Sequence, residues 1–229
     1  MTINSLQVGF FLNTINLLDK LSIAKNINTV TNNIFDGEPL ILPIPENAPP
    51  EIPRIILKTK QEDLIMNVSY SRIDIIFENK QKKIIHFNEL KEKFNDLIKK
   101  ITISIYKNFS ATTKRLGLVT MAGYDVKNPI AIIYKKFDKR FINELKDSKE
   151  IQAHIFKQEK ISKFKINNWI RIIAQEVNDK RDKFNILNDL NIQEDNKEII
   201  GLDDVILFYQ KMLDYNEQNL NKYASTLFD

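Results

Sequence analysis

The residues best suited to chemistry in this chain are basic residues clustered between positions 78 and 183. Lysine and arginine side chains neutralise phosphates and release counterions from nucleic acids. Between the clusters lie Tyr106, Phe109 and Tyr134, and aromatic rings of this kind stack on unpaired bases. The candidate nucleic-acid-binding residues are Lys114, Arg115, Lys135, Lys136, Lys139, Arg140, Lys163, Lys165, Lys180 and Arg181.

The charge is distributed unevenly along the 229 residues. Residues 78–183 carry 25 basic and 13 acidic groups, a net charge of +12. Residues 1–77 carry a net charge of −2, and residues 184–229 carry −6. A basic middle between acidic ends favours an acidic partner for one face. The alternative is compositional, because lysine outnumbers arginine 28 to 6, as in the products of AT-rich genomes.

The sequence gives little support for catalytic chemistry. Asp63 followed by Glu78 and Lys80 fits a metal-dependent nuclease pattern, in which carboxylates hold a cation and a lysine stabilises developing charge. The same acid-x-lysine spacing recurs five more times, so it does not discriminate. With no cysteine and only His86 and His154 available, the sequence predicts no catalytic residue, no metal and no cofactor.

Hydrophobic periodicity indicates which elements must position these residues. Period-two alternation predicts strands, and apolar residues spaced three and four apart predict helices. Helices are expected over 17–34, from 87 to 101, from Pro129 and from Asp203. The predicted strands are 6–12, 54–59, 63–68, 72–78, 82–86, 116–122, 150–158, 163–173 and 184–192. Trp169 is expected in the core or at an interface rather than on a stacking surface.

The element order predicts an α+β protein with mainly antiparallel sheet and packed amphipathic helices. The order β-α-β-β-β-α occurs twice, which predicts two pseudo-repeated halves, residues 1–100 and 101–229, fused into one globular unit. The first half contains a proline-rich segment, 39–53, with six of the seven prolines. Because proline cannot pair in a central strand, this segment is expected to lie extended along the body.

Five stretches together resemble a group of uncharacterised bacterial conserved hypothetical proteins. They are residues 35–39 (FDGEP), 52–54 (IPR), 68–77 (VSYSRIDIIF), 166–173 (INNWIRII) and 187–194 (LNDLNIQE). The resemblance covers roughly residues 5–200. It implies no activity, and it favours a cytoplasmic role in binding a partner.

The sequence therefore favours a non-enzymatic, cytoplasmic protein that binds a macromolecule, such as an accessory component of a bacterial complex. Binding of nucleic acid through the basic middle is the first alternative, and a metal-dependent nuclease is the second. The N-terminus lacks the features of a signal peptide, and no apolar run reaches the ~18 residues of a membrane span. A homodimer is also predicted, in which the acidic terminal helix with Tyr209, Tyr215 and Tyr223 docks on a second copy.

Overall fold

The computed structural model describes residues 1–109, 111–136, 148–176, 183–193 and 200–228. These ranges contain nine strands and four helices. In chain order they are β1 (Thr2–Leu12), α1 (Lys20–Val30), β2 (Leu40–Ile41), β3 (Ile55–Lys58), β4 (Leu64–Val68), β5 (Arg72–Glu78), α2 (Phe87–Asn108), β6 (Thr113–Tyr124), α3 (Pro129–Lys136), β7 (Glu150–Ile161), β8 (Phe164–Gln175), β9 (Lys183–Ile192) and α4 (Leu202–Phe228).

All nine strands form one sheet, in the order β2-β3-β4-β5-β1-β6-β9-β8-β7. Every pairing between neighbours is antiparallel. The prediction of an α+β fold built on antiparallel sheet is confirmed.

The sheet has the same connectivity on either side of its centre. In the first half, the last strand of the β3-β4-β5 meander pairs with β1; in the second, the last strand of β7-β8-β9 pairs with β6. The two first strands, β1 and β6, then pair with each other. The sheet thus continues without interruption from one half to the other. The division at residue 100 stays a sequence-based prediction.

The described helices form a single layer on one face of the sheet. The apolar stripe of α2, including Phe94, Ile98 and Ile105, is buried. Helix α4 packs on α2 and on the sheet, where the Tyr209 hydroxyl donates to the Gly9 carbonyl oxygen at 2.7 Å. Tyr209 is fully buried within its own chain and is not available to dock on a second copy. No described helix has both the length and the apolar run needed to cross a membrane.

A fully buried arginine, Arg54, organises the proline-rich segment. Its guanidinium donates to the carbonyl oxygens of Pro45, Ala48, Pro49 and Ile52 and lies 4.9 Å from the ring centroid of Tyr70. Because proline has no N–H and such a loop makes few backbone bonds, its carbonyls need another donor. The guanidinium supplies it and keeps the segment packed against the first half of the sheet.

Several element boundaries differ from the predictions. Helix α1 is shorter than predicted, since the Asp19 side chain caps its start by accepting from the Ser22 N–H. Helix α2 is longer and continues to Asn108. The strand predicted at 82–86 is absent, and Lys82 has a left-handed φ of 52°. The segment contacts the start of β1: the Ile85 carbonyl accepts from the Ile3 N–H at 3.2 Å, and the Lys83 carbonyl accepts from the Thr2 hydroxyl at 3.1 Å.

Candidate functional site

One face of the sheet carries no described helix. On β8, buried side chains such as Ile170 and Ile172 alternate with exposed ones such as Trp169 and Arg171. The buried set faces the helices, so the exposed set lies on the opposite side. We call this opposite side the uncovered face. It bears the alternate residues of every strand, including Gln7, Gly9 and Phe11 of β1, Arg115, Gly117 and Val119 of β6, and Asp189 and Asn191 of β9.

An exposed aromatic pair lies near one edge of the uncovered face. Phe156 of β7 and Trp169 of β8 are register partners, with ring centroids 4.3 Å apart and ring planes inclined at 35°. Phe156 is 45% exposed and Trp169 is 48% exposed. Large aromatic side chains are usually mostly buried, so two in contact on an open sheet face indicate a binding surface. Of the two environments expected for Trp169, the core is excluded by this exposure, and the interface stays a prediction.

Basic side chains lie on both sides of this aromatic pair. Lys160 and Lys165 are directly opposite each other across β7 and β8, and both are exposed. Like charges in this arrangement repel, and neither lysine has an ion-pair partner in the described part of the chain. On the other side, exposed Arg171 is the register partner of His154. An anion above this edge would relieve the repulsion between the lysines.

A cavity of about 220 Å³ lies at the centre of the uncovered face, where β1 meets β6. Its floor contains Gly9 and Gly117, which are register partners, and two facing positions without side chains leave a depression in the sheet. Beside them the ring of Phe11 is in contact with two guanidinium groups. Arg72 lies 4.5 Å and Arg115 lies 4.2 Å from the ring centroid.

Two carboxylates at this cavity have different surroundings. Asp74 is well satisfied: it forms an ion pair with Arg72, with Nε and Oδ2 2.7 Å apart, and accepts from the Gln7 amide at 3.0 Å. Asp189 accepts a single hydrogen bond from the described residues, 3.3 Å from the Asn191 amide. Burial raises the pKa of Asp189 above 3.8, although the Asn191 bond and the charges of Arg115 and Arg72 partly oppose this.

Asp189 also connects the cavity to the aromatic pair. It is the register partner of Trp169, and it lines a second cavity of about 280 Å³ together with His154, Trp169 and Arg171. The central cavity, the Asp189 carboxylate and the Phe156–Trp169 pair therefore follow one another across β6, β9, β8 and β7. A flexible chain lying across these strands would contact all three.

The structure separates the predicted basic residues. Arg115 and Lys165 lie on the uncovered face. Lys114 is exposed on β6 where the pairing with β1 shifts register. Lys163 forms an ion pair with Asp204 of α4.

The remaining predicted residues lie elsewhere. Lys135 and Lys136 are exposed at the end of α3, which packs on α4 and therefore belongs to the helix layer. Four predicted residues lie outside the described residues: Lys139, Arg140, Lys180 and Arg181. The basic middle is thus not one continuous face.

Two of the aromatic residues proposed from the sequence, Tyr106 and Phe109, are not on the uncovered face, and the side chain of the third, Tyr134, lies outside the described part of the structure. Tyr106 is part of the core packing, and its hydroxyl donates to Thr113 Oγ1 at 2.9 Å. Phe109 is also packed against the core. The missed residues are Phe156 and Trp169. The alternation on β8 contained the signal, because Trp169 has the opposite parity to Ile166, Ile170 and Ile172.

The carboxylates of the nuclease alternative are neighbours in the sheet. The Glu78 N–H donates to the Asp63 carbonyl oxygen at 2.8 Å at the ends of β5 and β4. The Asp63 carboxylate accepts from the Thr59 hydroxyl at 2.6 Å, and Lys80 lies 3.5 Å from Glu62. Within the described ranges, no group of three histidine, aspartate or glutamate side chains is placed to share a metal ion.

No family model matches the chain, and no curated protein matches it. Among solved structures, the chain is similar to one described as a rolling circle replication initiator protein from Geobacillus stearothermophilus. The alignment has 10% sequence identity and a TM-score of 0.31, and it covers 93% of this chain and 78% of that one. A TM-score this low supports no inference about fold or function.

Proposed function

We propose that this protein binds single-stranded nucleic acid on the uncovered face of its sheet, without catalysing a reaction on it. The observation that carries the proposal is the exposed Phe156–Trp169 pair on a sheet face with no described helix above it. Stacking of unpaired bases on such rings contributes about 1–3 kcal/mol per base. A sheet face presents the rings in a plane that successive bases of a flexible strand can reach.

The charges beside the rings favour a polyanion over an apolar protein segment. Lys160 and Lys165 on one side and Arg171 on the other place cations on both sides of the stacking surface. Phosphates of one strand would then lie against these cations while its bases contact the rings. An apolar protein partner would leave the two opposed lysines without a counter-charge.

Single strands are favoured over duplexes for a geometric reason. The bases of a duplex are stacked on one another and expose only their edges in the grooves. Phe156 and Trp169 lie on strands of the sheet rather than on a projecting helix or wedge, so they contact base faces only when the bases are unpaired.

The single tryptophan makes the proposal directly testable, because Trp169 is the only one in the chain. Short single-stranded RNA and DNA and a matched duplex would be titrated at two salt concentrations. Fluorescence anisotropy of the labelled strands reports binding, and Trp169 emission reports stacking. We expect single strands to bind, to quench Trp169 and to bind more weakly as salt rises.

Three results would change this conclusion. Absence of binding at low salt would overturn it and return the search to protein partners. Binding to duplex as tight as to single strands, without quenching, would contradict stacking. Cleavage of the strands with Mg²⁺, abolished by Glu78→Ala, would assign the chain to the nuclease alternative.

A further inference from the structure

The central cavity is built into the fold rather than left by loose packing. Gly9 and Gly117 are directly paired in the two central strands, so the depression depends on both positions lacking a side chain. A Cβ at residue 9 would lie 3.3 Å from Asp74 Oδ1, tighter than most such contacts. At about 220 Å³ the cavity is smaller than the ~300–1,000 Å³ of sites for drug-sized ligands. It suits one small planar group.

The hydrogen-bonding groups around the cavity define which planar group fits. Arg72 and Asp74 neutralise each other, and Gln7 completes the surroundings of Asp74. Asp189 is different, since an ionised carboxylate accepts about four hydrogen bonds and this one accepts a single 3.3 Å bond, from Asn191, within the described residues. A ligand with adjacent N–H donors would satisfy it.

Arg115 provides the complementary chemistry. Its guanidinium lies over the Phe11 ring, which holds it at the cavity. Guanidinium groups donate to paired acceptors, and the O6 and N7 atoms of guanine are the pair that arginine binds most often. Guanidinium planes also stack on unpaired bases.

We propose that the cavity receives one unpaired guanine of the bound strand, with Asp189 accepting from its N1–H and N2–H groups and Arg115 donating to its acceptor atoms. Guanine alone among the four common bases carries two adjacent donors on its Watson–Crick edge. Adenine has one exocyclic donor there beside an acceptor, and uracil has one donor between two acceptors. The position of Asp189 beside Trp169 then allows a neighbouring base to stack on the aromatic pair. This inference rests on the proposed function, since it deepens the description of the same surface.

The test compares oligouridine strands that carry a single guanosine, adenosine or cytidine at one central position. Since a good bidentate contact discriminates between bases by about tenfold or more, wild-type protein should bind the guanosine strand at least about tenfold more tightly. Asp189→Asn should abolish this preference, so that the guanosine strand binds no more tightly than the adenosine and cytidine strands. Glu150→Gln, which removes an exposed carboxylate at the far edge of the same sheet, should retain the preference.

A second variant probes the cavity without changing its charges. A Cβ on Gly117 would meet its nearest neighbours at 3.8 Å, so Gly117→Ala should fold normally while raising the cavity floor. We expect it to weaken the preference for the guanosine strand over the adenosine and cytidine strands. Unchanged preference in both Asp189→Asn and Gly117→Ala would overturn the inference.

The two proposals fail in different ways. Wild-type binding to all strands with no preference for guanosine would overturn the guanine site and leave the stacking surface in place. If no strand binds, the proposed function is wrong, and titration with GMP and AMP decides the cavity separately. GMP binding that Asp189→Asn removes would uphold the cavity as a guanine site, and equal or absent binding of both nucleotides would refute it.

Discussion

Replacement of Trp169 by alanine gives the sharpest test of the stacking surface. Trp169 is 48% exposed, so about half of its surface is available to a base. An aromatic side chain of this kind covers roughly 150–250 Å², which leaves on the order of 100 Å² for the ligand. At about 25 cal/mol per Å², covering this area stabilises a complex by at most about 2.5 kcal/mol.

The same substitution should have little effect on folding. It mainly removes the packing of the indole on the Phe156 ring, whose centroid lies 4.3 Å away, and such aromatic pairs contribute about 0.5–1.5 kcal/mol. We therefore expect the affinity for single strands to fall roughly 10- to 70-fold, with a decrease of about 1 kcal/mol in the free energy of unfolding. The expected loss of binding free energy, about 1.4–2.5 kcal/mol, is thus larger than the loss of folding stability.

Since Trp169→Ala has no tryptophan emission, its affinity is measured by the fluorescence anisotropy of a labelled strand. Its stability is measured by urea denaturation followed by circular dichroism. Ile173→Ala, on the same face of β8 and partly exposed, is the matched control and should leave affinity within about twofold. Trp169→Ala protein that binds as tightly as wild type would refute the argument that the exposed pair is a stacking surface.

Three other features of the structure give further predictions. The double variant Lys160→Gln/Lys165→Gln should reduce the slope of log affinity against log salt by up to about 1.4, because each phosphate contact on a single strand contributes about 0.7. The control variant Lys135→Gln/Lys136→Gln, on the helix layer, should leave this slope unchanged in the same titration. Arg54→Met should lower the free energy of unfolding, measured by urea denaturation, by about 3–5 kcal/mol, since four loop carbonyls would be left without their donor. A decrease below about 1 kcal/mol would show that the guanidinium does not hold the proline-rich segment. Because the pKa of Asp189 is higher in the folded state than in the unfolded state, folding is penalised above the folded-state pKa, and the penalty disappears as the pH falls below 3.8. In denaturation curves, Asp189→Asn should therefore be more stable than wild type at pH 7, and the difference should shrink toward acidic pH. A variant less stable than wild type at pH 7 would indicate that the charges of Arg115 and Arg72 dominate.

Local sequence determined most of the secondary structure. The alternation of Phe184, Ile186, Leu190 and Ile192 places one face of β9 in the core whatever strand it pairs with. The apolar spacing of α2 works in the same way, because the helical period of 3.6 residues depends only on neighbours in the chain. Fold class and the doubled element order could therefore be predicted from the sequence.

The site depended on strand pairing, which no local pattern specifies. The pairing of β1 with β6 brings Gly9 opposite Gly117, although the two residues are 108 positions apart in the sequence. The position of β1 between β5 and β6 likewise places Phe11 between Arg72 and Arg115. Tertiary contacts also sorted the lysines, joining Lys163 to Asp204 and leaving Lys165 exposed on the uncovered face. The sequence by itself determined which residues carry charge and which strands alternate between buried and exposed residues. The tertiary structure decided which charged and aromatic residues share a face, because the register between distant strands is set by burial of the whole sheet.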